Sequence, residues 1–172
     1  MATSAVRSLR EDDRAWVTQW LREQWGGPTI VTRGKSHRAD TLPGFAAVRG
    51  DTAVGLITYR IEDLQCEIVS LDSRVEGAGI GTALLDAVAD AARQAGCIRL
   101  WLITTNDNTR ALRFYQRRGF VLAAIHRDAI AESRRIKPSI SQIGIDGIPI
   151  RDEIELEMKL GHGHATRAPS NG

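Results

Sequence analysis

Hydrophobic and polar positions follow two different periods along this chain, and the changes of period divide it into predicted helices and strands. Apolar residues recur at helical spacing over 16–25, ahead of a Gly-Gly-Pro stop, and again over 80–91. The run 98–105 is almost continuously apolar, which is typical of a strand covered on both faces. Residues 154–160 alternate between apolar and polar side chains, so they predict a strand with one exposed face.

The other segments complete this order of elements. A β-hairpin is predicted around a Gly-Asp turn at 50–51, a central strand over 67–71, and a short helix over 108–118. The stretch 29–42 has no clean period, so we expect a long loop with at most one short helix. His37 in that stretch is expected to be a solvated loop histidine.

Length and composition indicate a single globular domain. The chain has 172 residues, 42% hydrophobic and 26% charged, enough to bury a core without disulfides or metal ions. We expect this domain to span 1–160, with a disordered tail over 161–172. The formal net charge of +2 gives no reason to expect nucleic acid or a membrane as a partner. No stretch has the character of a signal peptide, so we expect a cytoplasmic protein in which Cys66 and Cys97 are packed thiols.

A strand, a glycine-rich turn and a helix form the part of the chain around which the rest is organised. The predicted strand 67–71 leads into a turn with glycines at positions 77, 79 and 81, and the helix over 80–91 follows at once. Glycines at a helix start let an anion approach backbone N–H groups that have no partner inside the helix. The turn is therefore a candidate phosphate site. The alternative is a plain tight turn whose glycines only supply positive φ angles.

Two well-known phosphate-binding loops do not fit this turn. A dinucleotide-binding fingerprint would need a small residue where Thr82 stands and an acid near Cys97. A P-loop would need a Gly-Lys-Ser/Thr ending, and no lysine lies between Lys35 and Lys137. The residues present exclude a P-loop and disfavour a dinucleotide-binding turn.

Two segments instead resemble one family. The sequence EGAGIGTALL over 76–85 resembles the pyrophosphate loop of the GNAT superfamily of acyl-CoA-dependent N-acyltransferases, Gln/Arg-x-x-Gly-x-Gly/Ala, with Glu76 in place of Gln or Arg. The segment 108–120 is similar to the second GNAT signature, Asn-x-x-Ala-x-x-Phe-Tyr-x-x-x-Gly-Phe. Every named position of that signature matches, at Asn108, Ala111, Phe114, Tyr115, Gly119 and Phe120.

The resemblance implies a fold and a cofactor. The fold is α/β (α+β), a single domain with a mixed, mostly antiparallel sheet, helices on both faces, and a V-shaped split between the central strands. The split would receive the pantetheine arm of acetyl-CoA, the expected co-substrate, and no metal is required. The residues implied to bind it are Leu71, Asp72, Ser73, Glu76, Gly77, Ala78, Gly79, Ile80, Gly81, Thr82, Asn108 and Arg110.

The resemblance also implies catalytic roles. Tyr115 would donate a proton to the departing thiolate as general acid, the alternative being a core tyrosine whose hydroxyl bonds to backbone. Glu67 resembles the base position of family members that use a glutamate there, and it could equally be an outward-facing strand carboxylate. A backbone N–H near Leu71 would stabilise the oxyanion. Weaker candidates for the base are Asp51, Asp72 and Glu76.

The predicted function is therefore an N-acetyltransferase that moves an acetyl group from acetyl-CoA to a primary amine by direct attack in a ternary complex. The alternatives are a catalytically silent acyl-CoA-binding regulatory module and a nucleotide-binding α/β domain. The acceptor is expected to be a small-molecule or peptide amine, and a homodimer is possible. Asp152 and Glu153, with the loop 34–40, would select a cationic amine or would be solvated strand-end charges.

Overall fold

One seven-stranded sheet forms the centre of the computed structural model, which describes residues 3–161. The strands are β1 (Ala5–Ser8), β2 (Thr29–Thr32), β3 (Lys35–Arg38), β4 (Gly44–Arg49), β5 (Thr52–Glu62), β6 (Gln65–Ser73), β7 (Arg99–Thr105), β8 (Val121–His126) and β9 (Glu153–Lys159). The helices are α1 (Arg14–Trp25), α2 (Ile80–Gln94), α3 (Thr109–Gln116) and α4 (Ala129–Ile136). Three short 3-10 turns span Glu11–Asp13, Ala39–Thr41 and Ile145–Gly147.

The strand order in the sheet is β1-β4-β5-β6-β7-β9-β8, and β2 with β3 forms a separate two-stranded ribbon. The β6–β7 pair is parallel, and the other neighbours are antiparallel. The predicted mixed, mostly antiparallel sheet in a single domain is therefore confirmed. The predicted tail over 161–172 lies outside the described residues, apart from Gly161.

Helices cover both faces of the sheet, because adjacent strand residues point to opposite sides. Ile68 of β6 faces a core made with α2 and α3, whereas its neighbour Val69 faces a second core made with α1. On α2 the residues buried at helical spacing are Ile80, Leu84, Val88 and Ala92. The periodic apolar face read from the sequence is thus the face that packs on the sheet.

The stretch 29–42 is not the predicted long loop. It forms the hairpin of β2 and β3, closed by a two-residue turn in which Arg33 and Gly34 have φ angles of 51° and 69°. Positive φ at both central residues is the type I′ geometry that matches the twist of paired strands. The expectation for His37 was also wrong, because the hairpin buries it at 9% exposure.

The predicted split between two central strands is confirmed. Residues 65–68 of β6 pair with residues 99–102 of β7. Beyond Ile68 and Leu102, no residue of β6 pairs with a residue of β7. A β-bulge marks the place, since Ile68 and Ser70 pair with neighbouring residues of β5 and leave Val69 as the extra residue. A bulge bends its strand. The bend takes β6 away from β7, which stays paired with β9 as far as Thr105.

Both cysteines are buried free thiols, as predicted. Burial raises the pKa of Cys66 to about 12, and it also raises that of Cys97. Across residues 3–161, no helix combines the length and the apolarity needed to cross a lipid bilayer.

Candidate active site

The opening between β6 and β7 is a cavity of about 120 Å³, lined from both faces of the sheet. Tyr115 and Ala111 of α3 line it from one face, and Trp25 at the end of α1 lines it from the other. The two strands themselves contribute Val69 of β6 and Ile103 of β7, which lie just past the last paired residues. The split is therefore a passage through the sheet whose walls include unpaired strand backbone.

The glycine turn lies at the start of α2 and leaves backbone N–H groups open. Gly79 is the N-cap residue in the left-handed region, φ 72°, and no side chain caps the helix. The first helical bond is from the Ala83 N–H to the Gly79 carbonyl, 3.0 Å, so the N–H groups of 80–82 have no acceptor within the described residues. These donors and the positive end of the helix dipole fit a phosphate group.

The side chains around the turn are arranged differently from the backbone. Arg118 donates from Nε to the Thr82 hydroxyl at 2.8 Å, and its guanidinium lies 3.6 Å from the centre of the Phe114 ring. The side chains of Glu76 and Arg110 are both highly exposed, and Glu76 Oε1 lies 3.9 Å from Arg110 Nη1. This segment would therefore bind an anion through its backbone groups, because the Thr82 hydroxyl already accepts a hydrogen bond from Arg118.

Tyr115 is buried, with 7% of its surface exposed, and its ring makes edge contacts with Phe114 and Phe120. Its hydroxyl makes no hydrogen bond within residues 3–161, so the alternative of a core hydroxyl bonded to backbone does not describe this structure. Burial raises the pKa of the phenol well above its usual value, so it stays protonated at neutral pH.

Asn108 joins the same cavity from the N-terminus of α3. Its Oδ1 accepts the Ala111 N–H at 3.1 Å and caps the helix, while its Nδ2 has no acceptor within the described residues. Leu71 and Asp72 also line the cavity, and the Trp25 indole N–H donates to the Asp72 carboxylate at 2.7 Å. Burial raises the pKa of Asp72. Ser73 is exposed and does not line the cavity.

A larger cleft of about 460 Å³ continues from the split on the side of α1, β2 and α4, and we call it the acceptor-side cleft. The two cavities share Trp25, Val69, Ile103, Thr104 and Asn108. Most of the cleft wall is apolar. The residues that give it charge are Glu153 and Lys137.

Only part of the expected acceptor site lies in this cleft. Glu153 lines it, but Asp152 does not, and Asp152 is paired with Arg151 at 3.0 Å. Both carboxylates are buried, so the alternative of solvated strand-end charges is wrong. The loop 34–40 was expected to contribute, and instead residues 30–32 of β2 form this wall.

Glu67 is placed apart from the other predicted site residues. Its side chain is buried and lines a different cavity of about 340 Å³, so it is not the outward-facing carboxylate of the alternative. Its carboxylate accepts hydrogen bonds from Arg60 Nε at 2.7 Å and from the Thr32 hydroxyl at 3.0 Å. Thr32 lines both this cavity and the acceptor-side cleft. The structure thus brings Tyr115 and Asn108 together at the split. Glu67 does not line the split or the acceptor-side cleft, and Thr32 connects it to that cleft.

His37 completes a short hydrogen-bonded chain with these two residues. Its Nε2 lies 3.1 Å from the Thr32 oxygen. Because the Thr32 hydroxyl gives its one proton to the Glu67 carboxylate, the His37 Nε2 must be the protonated ring nitrogen. Burial lowers the pKa of His37.

The chain matches the model of the Acetyltransferase (GNAT) family over residues 6–120. The protein belongs to the GNAT acetyltransferase family. It is 47% identical over 139 residues to the uncharacterized protein YdhI of Bacillus subtilis, an alignment that covers 80% of this chain and 87% of that protein.

Two further comparisons extend the family match. The chain is 39% identical over 84 residues to streptothricin acetyltransferase of Streptomyces lavendulae, covering 49% of this chain and 41% of that protein. The crystal structure of a Bacillus subtilis acetyltransferase in complex with CoA has the same fold, with a TM-score of 0.65 at 19% identity over 92% of this chain and 99% of that one. The resemblance read from the two GNAT motifs is thereby confirmed.

Several residues of this GNAT site were not identified from the sequence. Arg118 stands within the second motif, which contains several arginines. Which of these arginines faces α2 depends on how α3 is rotated about its own axis. Thr32 lies in the stretch that we expected to be a loop. The run Thr-Ile-Val-Thr before Arg33-Gly34 is nevertheless typical of a strand. Within residues 3–161, no group of three or more His, Cys, Asp or Glu side chains is placed to hold a metal ion.

Proposed function

We propose that this GNAT protein transfers the acetyl group of acetyl-CoA to a primary amine by direct attack in a ternary complex. The observation that carries the proposal is the split itself, which shares lining residues with the acceptor-side cleft and has the unbonded Tyr115 hydroxyl in its wall. One of its two strands, β6, leads along the chain to the open start of α2. A cofactor bound on the α2 and α3 face would meet an acceptor entering from the α1 face.

The residues that would hold the cofactor act mainly through backbone groups. The free N–H groups of 80–82 would bind the pyrophosphate, and the unpaired edge of β6 from Val69 to Asp72 would bond the pantetheine amides as a neighbouring strand does. Asn108 has a free amide donor at the same cavity. Acetyl-CoA supplies the acetyl group as a thioester, whose C–S bond breaks as the acceptor nitrogen forms a C–N bond.

Two protons must move, and the chain has a group for each. The acceptor ammonium must lose a proton before its nitrogen can attack, and Thr32 would pass that proton from the acceptor-side cleft to Glu67. Tyr115 would give its phenol proton to the departing thiolate sulfur. Burial raises the pKa of this phenol, so its proton is present at the pH of the reaction.

Direct attack is favoured over an acetyl-enzyme route because of the cysteines. Cys66 and Cys97 are buried and their pKa values are raised, so neither offers a thiolate to the cofactor. The split instead opens directly into the acceptor-side cleft, so the acceptor amine would reach the thioester without an enzyme-bound intermediate.

The test is free-thiol release from acetyl-CoA against a panel of primary amines, with both substrates varied. We expect release that depends on the amine, with intersecting double-reciprocal lines. Parallel lines would contradict direct attack. Saturable CoA binding without release for any amine class would contradict the transfer reaction and favour the silent binding module.

A further inference from the structure

The buried carboxylates of this protein differ in whether they have a cationic partner. Buried acidic side chains are almost always paired. Four of them form ion pairs with arginine, namely Asp13 with Arg7, Asp40 with Arg38, Glu67 with Arg60 and Asp152 with Arg151. Glu153 and Asp107 have no cation within 4.0 Å among residues 3–161. The Asp107 carboxylate accepts hydrogen bonds from the Thr105 hydroxyl and the Ile145 N–H, and it lines none of the four cavities.

Glu153 is therefore a buried carboxylate without a counter-ion that lines a cleft. It is 1% exposed and stands at the first position of β9, opposite Thr105 at the end of β7. One oxygen accepts from the Ser133 hydroxyl at 3.0 Å, and the other accepts from the Arg33 N–H at 3.0 Å. An ionised carboxylate has about four acceptor positions, so two are left for a ligand.

The rest of the acceptor-side cleft restricts what that ligand is. Its walls are mostly apolar, with Ile30, Val69, Ile103, Ile130, Ile140 and Ile150 among them. Lys137 also lines it, donating from Nζ to the carbonyls of Trp25 and Thr29 at 2.8 Å each. A second positive charge on the acceptor would be repelled by Lys137, which disfavours a polyamine.

The position of Glu153 also matches the proton path. One of its oxygens accepts a hydrogen bond from the N–H of Arg33, in the turn that directly follows Thr32 at the end of β2. Thr32 and Glu153 line the same cleft, so an ammonium group held by Glu153 would share that cleft with the Thr32 hydroxyl, which is bonded to Glu67.

We propose that Glu153 binds the ammonium group of the acceptor, and that the acceptor is a primary amine with one positive charge on an apolar body. This assignment rests on the proposed function, since it names the substrate class of that reaction. Glu153 acts by binding and placing the amine, and Tyr115 and Thr32 remain the groups that move protons.

The test uses 2-phenylethylamine as the probe and calorimetry on the full chain saturated with CoA. We expect the Glu153→Gln variant to bind the amine roughly 10- to 100-fold more weakly than wild type, the effect of losing a buried charged hydrogen bond. The neutral analogue 2-phenylethanol should bind both proteins equally, because it lacks the charge that Glu153 would pair. Spermidine should bind wild type more weakly than 2-phenylethylamine does.

Ser133→Ala is the matched control, since it removes a hydrogen bond to the same carboxylate but leaves the charge. A purely structural Glu153 would lower the melting temperature in both variants and leave amine affinity equal in both, which would overturn the proposal. Failure of wild type to bind the amine would also overturn it. Amine binding that needs Glu153, without thiol release from acetyl-CoA, would contradict the transfer reaction and leave this assignment standing.

Discussion

The two sides of the split are built from different kinds of groups. On the side proposed for the cofactor, the glycine turn and the edge of β6 present main-chain N–H and C=O groups, and residues 76–79 are exposed. On the acceptor side, buried side chains face the cleft, among them Thr32 and Glu153 at 8% and 1% exposure. Tyr115 stands between the two, in the wall of the passage.

This difference separates general from specific recognition. Main-chain groups at a helix start bind a phosphate whatever side chains surround them, provided that the turn can take left-handed φ angles. A buried carboxylate in an apolar cleft instead discriminates by charge and shape, because its partner must replace lost solvation. Changes on the cofactor side should therefore alter CoA affinity, and changes on the acceptor side should alter amine affinity or turnover.

The largest effect is expected at the junction of the two sides. Replacing Tyr115→Phe should lower kcat by about 100-fold or more, because it removes the proposed acid while keeping the ring in its aromatic contacts. Affinities for CoA and amine should not change. Free-thiol release at saturating substrates measures kcat, and Tyr59→Phe is the control because Tyr59 lines none of the cavities.

The pH dependence sharpens this prediction. The acid must be protonated, and burial raises the pKa of Tyr115, so kcat should not fall as the pH rises through about 10, the ordinary phenol value. A descending limb well below that pH that disappears in Tyr115→Phe would contradict the raised pKa. Unchanged kcat in the variant would remove Tyr115 from the mechanism.

On the cofactor side, Gly79→Ala should cost stability and CoA affinity together. A non-glycine residue at φ 72° is destabilised by about 1–2 kcal/mol, and the added methyl group lies where the phosphate would approach. Thermal unfolding and CoA titration measure the two effects, and 2-phenylethylamine affinity should stay the same. Gly27→Ala is the control, since Gly27 has an ordinary φ and open space around it.

On the acceptor side, Thr32→Val should lower kcat by about tenfold, because an isosteric side chain breaks the route to Glu67. CoA affinity should be unchanged. Thr58→Val is the matched control, as Thr58 is a buried threonine that lines none of the cavities. Equal losses of stability in both variants without any loss of kcat would exclude the proton route.

The smallest effect is expected at Asn108, where two roles can be separated. Asn108→Ala should destabilise the protein by about 1 kcal/mol through loss of the α3 cap, and it should also weaken CoA binding. Asn108→Asp keeps an acceptor for the cap but loses the amide donor. It should therefore retain stability and still bind CoA more weakly, and equal CoA affinity in wild type and both variants would contradict a cofactor contact.

The sequence predicted the local structure of the glycine turn and of the second motif far better than that of the acceptor-side cleft, for a physical reason. The α2 face and the second motif are local patterns, since Ile80 to Ala92 repeat at helical spacing and Asn108 caps its own helix. The acceptor side is assembled from distant segments. Glu153 is held by Arg33, 120 residues away, and no local pattern reports such a contact.

The hairpin shows the same limit at shorter range. Its turn, Arg33-Gly34, lacks the Asn-Gly or Asp-Gly signature of a type I′ turn, and polar Lys35 and Ser36 hide the strand that follows. Packing against α4 and the sheet, rather than intrinsic preference, holds that strand pair. Thr32 and its link to Glu67 follow from this packing.

The measurement that tests the account most directly is backbone amide hydrogen exchange with each substrate added alone. CoA should slow exchange over 69–73 and 79–82, where strand edge and helix start are open, and leave 30–33 unchanged. 2-Phenylethylamine should slow exchange over 30–33 and 153–154. Protection of 30–33 by CoA alone, or none at 79–82, would contradict a cofactor and an acceptor that meet from opposite faces of the sheet.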